Sequence, residues 1–75
     1  MNTTLAKMRV GQVGEITGFI ESSQTMETLL QMGMTEGSRV EIVRLAPSGD
    51  PIELNISGYS LSMRKADADL VIVTV

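Results

Sequence analysis

The sequence predicts an all-β fold, a small barrel of about five strands with one short helix after the first strand. Three observations carry this. The stretch 46–64, APSGDPIELNISGYSLSMR, alternates apolar and polar residues through two runs separated by Ser57-Gly58. That is the pattern of a β-hairpin with one buried face. Helical periodicity occurs only over 21–33. The last six residues, LVIVTV, are apolar on both faces, as expected of a well-buried strand.

The hairpin fixes its own register. With Ser57-Gly58 as a two-residue turn, Ile56 lies opposite Tyr59, Leu54 opposite Leu61 and Ile52 opposite Met63. All six apolar side chains then share one face, and Glu53, Asn55, Ser60 and Ser62 share the other. A one-residue slip would send three of the six into water, so the pairing is firmly set. The preceding Pro47-Ser48-Gly49-Asp50-Pro51 is a rigid loop: two prolines fix φ, and Gly49 can take positive φ.

The other elements follow in chain order. Residues 1–11 contribute Leu5, Met8 and Val10; Leu5 and Met8 plug one end of the core, and Gly11 starts a turn. The first strand is expected over 12–20, with Gly14, Ile16, Gly18 and Ile20 on one face and Val13, Glu15, Thr17 and Phe19 on the other. Two glycines on one face of a short strand predict a bulge, strong curvature or close approach of another segment. In the helix, Ser22 or Ser23 caps the start, and Met26, Leu29, Leu30 and Met34 fall at i, i+3, i+4 and i+8. Gly33 stands where a left-handed terminating residue belongs, with Met34 placed to pack back on Leu29. At about two turns the helix depends on tertiary packing. A strand over 38–45 has Val40 and Ile42 on one face and Val43 and Leu45 on the other, which leaves its inward face open. Residues 65–69 read as one helical turn, and 70–75 as a last strand pairing back on the first and protecting both edges. The type of barrel is SH3-like.

Composition narrows the function. Seventy-five residues make one domain, 1–75, of modest stability. Nine carboxylates face six scattered basic residues, for a net charge of −3, and the aromatics are Phe19 and Tyr59 alone. A nucleic-acid partner is therefore not expected. No apolar run reaches the ~18–20 residues that span a bilayer, and Lys7 and Arg9 interrupt any signal-peptide core. A cytoplasmic chain without direct membrane insertion is expected. With no Cys and no His, the usual nucleophiles, bases and metal ligands are missing, so neither catalysis nor a cofactor is expected. Thioethers favour Cu(I) over Fe(II), and Met26, Met34 and Met63 sit on apolar faces and read as core. Asp67 and Asp69 alone make no convincing metal site.

What remains is protein binding. Two aromatics cannot cradle a polyproline peptide. The first candidate is the helix ridge Met26, Leu29 and Leu30, which either docks a partner or caps the barrel's open end. The second is the prolyl loop, with Pro47, Asp50 and Pro51, which presents a fixed shape at little entropic cost. Arg64 is expected to pair with Glu53 across the hairpin.

These residues also carry a family resemblance. The string AP-x-GDPIE…G-Y-x-L-x-M-R-K-x-x-A resembles the core signature of FeoA-type proteins. The likeness continues through Leu5…Val10-Gly11, Gly14 and Ile16, and Leu29-Leu30-x-Met32-Gly33-Met34-x-x-Gly37-x-x-Val40. Met34 replaces the leucine or isoleucine usual in the family, and Glu27 and Gln31 stand where basic residues are frequent. The resemblance implies an SH3-like fold and a non-catalytic adaptor that binds the cytosolic side of FeoB, a membrane GTPase-permease for ferrous iron. A transition-metal association is also attributed to the family. The alternative is a free-standing regulatory module like the C-terminal domain of DtxR-type repressors. An exposed Met/Leu ridge could also pair with its own copy as a weak homo-oligomer.

Overall fold

The computed structural model describes residues 1–20, 27, 29–31 and 33–75. Among the described residues six strands form one sheet: β1 (Asn2–Thr4), β2 (Val13–Phe19), β3 (Arg39–Leu45), β4 (Ile52–Ile56), β5 (Tyr59–Met63) and β6 (Val71–Thr74). A 3-10 turn, Leu5–Lys7, follows β1, and one helical turn, Lys65–Ala68, joins β5 to β6. The strand order is β1-β6-β2-β3-β4-β5, with every neighbouring pair antiparallel.

Two expectations are corrected here. The described residues hold six strands, because Asn2–Thr4 pairs with β6 through Asn2↔Thr74, Thr3↔Val73 and Thr4↔Ile72. Three polar residues carry no alternation, so periodicity could not reveal this strand. The last strand does pair back on the strand predicted first, β2. The sheet is nevertheless open: among the described residues β1 and β5 are its unpaired ends. It still surrounds a single core, since one cluster joins Leu5, Met8, Leu29 and Met34 to buried residues from β2 through β6. Every buried large side chain among the described residues is apolar. The hydrophobic effect therefore faces no buried polar group that needs a partner.

The β4–β5 hairpin has the expected register, Ile52↔Met63, Leu54↔Leu61 and Ile56↔Tyr59. Its turn residues both have positive φ, Ser57 at 48° and Gly58 at 90°, the signature of a type I′ turn. Burial differs from the simple face assignment at one position. Tyr59 is 72% exposed, because β5 ends the sheet and its first residue overhangs the core.

In β3 the inward face is Val40 and Ile42, both fully buried, while Val43 and Leu45 are partly open to solvent. A register shift between Ile42 and Arg44 against β4 produces this, with Val43 as the extra residue. In β2, Ile16 is buried between the two glycines, and the register against β6 shifts between Ile16 and Gly18. Gly14 is where another segment comes close. A Cβ there would lie 3.0 Å from the Thr74 carbonyl oxygen and 3.1 Å from Val75 Cγ1. Gly14→Val is expected to cost about 1–3 kcal/mol as an overpacked site, read as a lower midpoint in urea unfolding.

Candidate docking surface

Residues Glu27 and 29–31 are helical, and the helix end is held by two backbone hydrogen bonds. The Gly33 N–H donates to the Leu30 carbonyl and the Met34 N–H to the Leu29 carbonyl, both at 3.0 Å. With Gly33 at φ 89°, this is the Schellman arrangement anticipated from Gly33 and Met34. Leu29 and Met34, the pair expected to meet, are both buried in the core cluster.

That lock splits the predicted ridge. Leu29 is 1% exposed, whereas Leu30, its neighbour, is 47% exposed. Adjacent helical residues point about 100° apart, so the cap that drives Leu29 inward turns Leu30 outward. Leu29 therefore offers a partner no surface, a correction to the ridge expected from periodicity. Met26 lies outside the described residues. Glu27 and Gln31 are exposed beside Leu30, so the apolar patch is framed by polar side chains.

The second candidate, 47–51, is an exposed loop closed at its base. The Ala46 N–H donates to the Pro51 carbonyl at 3.1 Å, and the Gly49 N–H to the Ala46 carbonyl at 2.7 Å. Pro47, Asp50 and Pro51 are all exposed, and the Asp50–Pro51 bond is cis. Ser48 Oγ donates to the Asp50 carbonyl at 3.0 Å. Asp50 also ties the loop to the helical turn, because its Oδ1 accepts the Lys65 N–H at 3.0 Å. A helical turn leaves its first N–H groups without internal partners, and this carboxylate satisfies one from fifteen residues away. Asp50→Ala should cost about 0.5–1.5 kcal/mol, with faster amide exchange at Lys65 as its local sign.

Several exposed apolar residues lie outside the sequence-based candidates: Val10, Val13, Ile20, Val43, Leu45 and Tyr59. Val43 lines an open groove of about 510 Å³ on the outer sheet face with Arg44, Glu53, Ser60 and Ser62. Glu53 pairs across strands with Arg44, at 2.6 Å, and not with Arg64. Arg64 instead has Asp67 at 3.9 Å. The reason is register: Arg44 stands directly opposite Glu53 in the β3–β4 ladder. Both side chains are largely exposed, so the pair contributes under about 1 kcal/mol.

The described residues do not fit a transition-metal site. The chain has neither His nor Cys, and no three acidic side chains converge among the described residues. Asp69 accepts a hydrogen bond from the Thr4 hydroxyl at 3.1 Å, while Asp67 faces Arg64. Met8, Met34 and Met63 are in the core. No helix among the described residues is long and apolar enough to cross a membrane.

Comparison with known proteins agrees with this architecture. A FeoA-like protein from Clostridium acetobutylicum superimposes with a TM-score of 0.93 at 32% identity, over 99% of this chain and 86% of that one. A FeoA from Stenotrophomonas maltophilia, solved with zinc and described as a procaryotic SH3 domain protein, gives 0.84 at 18% identity. That match covers 96% of this chain and 89% of that one. A manganese-dependent transcriptional repressor with bound manganese gives 0.91 at 17% identity, but there 97% of this chain covers only 36% of the repressor. The last two likenesses concern the fold alone, which is SH3-like. Residues 3–75 match the FeoA domain, and the chain belongs to that family.

Proposed function

We propose that this chain is a small cytosolic accessory protein of ferrous-iron uptake that binds the cytosolic side of a FeoB-type GTPase-permease and regulates it. The observation that carries the reading is the FeoA domain match over 3–75. The protein acts by contact and not by catalysis: its recognition elements are Leu30, at the capped helix end, and the loop with Pro47, Asp50 and Pro51. Both are physically suited to docking. Leu30 is an apolar side chain held outward by a rigid cap, and the loop is pinned at its base and through Asp50. Little ordering entropy is then lost on binding. Glu27 and Gln31 beside Leu30 favour a contact that is apolar at its centre and polar at its rim.

The test is co-purification of the cognate permease from detergent extract on the immobilised chain, with and without GTP. Retention is expected for the wild type and loss for Leu30→Gln. No retention in any nucleotide state would falsify the adaptor reading. It would favour a second one, a regulatory module that works on soluble partners. The likeness to part of the manganese-dependent repressor motivates that alternative.

A further inference from the structure

We infer that β5 is a self-association edge, through which two copies of this chain pair antiparallel about a two-fold axis at Leu61. Strand β5 ends the sheet. Among the described residues its backbone hydrogen bonds run only to β4. A two-residue turn makes its flanking residues, Ile56 and Tyr59, a hydrogen-bonded pair, and such pairs alternate along an antiparallel ladder. Tyr59, Leu61 and Met63 therefore direct their backbone groups at β4. Ser60 and Ser62 direct theirs outward.

Exposed edges are ordinarily blunted by charge, proline or a bulge. Strand β5 has none of these. Its sequence, YSLSM, is uncharged and free of proline, and its ladder with β4 runs through five pairs without a register shift. The opposite edge, β1, is three residues long.

The sequence of β5 is self-complementary, and this selects a second copy as the occupant. Antiparallel pairing about Leu61 sets Ser60 against Ser62 of the other copy, twice. All four outward backbone groups of the two serines in each copy are then satisfied. Leu61, half-buried in the single chain, meets its own counterpart in a non-hydrogen-bonded pair, where side chains approach most closely. Tyr59, 72% exposed, falls opposite Met63 of the other copy, whose side chain stays in its own core. No charged groups are opposed within the strand. A five-residue edge is small, which places the contact among weak, transient interfaces.

Sedimentation velocity over a concentration series up to about 1 mM tests this. The wild type is expected to pass reversibly from monomer to dimer. In the double variant Ser60→Lys/Ser62→Lys, like charges face each other twice across the axis, and association should weaken about tenfold or more. In Ser60→Glu/Ser62→Lys, opposite charges meet at the same two places, and the dimer should tighten beyond wild type. Both positions point to solvent in the monomer, and thermal unfolding followed by circular dichroism checks each fold. If the double-lysine variant does not fold, the opposite-charge variant decides alone. A wild type that stays monomeric throughout overturns the proposal and leaves the edge to a strand of another protein. So does a dimer that the opposite-charge variant fails to strengthen.

Discussion

Leu29→Gln is expected to remove a large part of the chain's folding stability. A 75-residue domain has about 4–11 kcal/mol of stability in hand. Leu29 is 1% exposed and belongs to the one core cluster. Replacing it loses the transfer energy of an apolar side chain and places an amide among carbons. Together these cost about 3–5 kcal/mol. The helix end suffers as well, because the Schellman bonds run from Gly33 and Met34 to the carbonyls of Leu30 and Leu29, beside the contact that the substitution breaks. Chemical denaturation with tryptophan-free detection, such as far-ultraviolet circular dichroism, reads the shift directly. A midpoint close to wild type would show that Leu29 is not a core residue.

Leu30→Gln is the opposite case, with a large effect on binding and almost none on stability. Its side chain is 47% exposed, so the stability change should stay within about 0.5 kcal/mol. In the proposed complex Leu30 is the apolar centre of the contact. Truncating such an anchor costs about 2 kcal/mol or more, roughly a thirtyfold loss of affinity or greater. The pair of substitutions is informative because the two residues are neighbours: one reports folding and the other recognition. A Leu30→Gln chain that binds as wild type does would remove this residue from the interface.

Much of the fold is legible because β-sheet parity is strict. Once Ser57-Gly58 is taken as a two-residue turn, every pair from Ile56↔Tyr59 to Ile52↔Met63 follows by counting, and the structure has these pairs. Gly14 and Gly18 on one face point to a bulge, strong curvature or close approach, and β2 has a register shift between Ile16 and Gly18 and a close approach at Gly14. Gly33 and Met34 mark the helix terminus for the same kind of reason: a local geometry that few residues can adopt.

What is not legible lies where tertiary context decides. Periodicity places Leu29 and Leu30 on one apolar stripe, but only the packed core says which of the two faces inward. Val43 cannot be assigned a face because the β3 bulge is invisible to a two-residue period. Sequence alone pairs Glu53 with Arg64 inside its own hairpin, since the actual partner Arg44 enters only once β3 is known to pair with β4. That pairing has a signal. Extending the ladder outward from the prolyl loop, Leu45 falls opposite Ile52 and Arg44 opposite Glu53. The exposure of Tyr59 has a different origin, because parity assigns a face but not how far the core reaches beneath an edge strand.

The central claim is that the chain docks through the Leu30 end of its helix and the 47–51 loop. Titrating the isotope-labelled chain with the detergent-solubilised permease, while following its backbone amide signals, tests this most directly. Docking through these two elements predicts that Leu30, Gln31, Ser48, Gly49 and Asp50 shift or broaden while β6, paired on both sides within the sheet, keeps its positions. Perturbation confined to the outer sheet face around Val43, Glu53 and Ser60 would contradict it and move the interface to the groove.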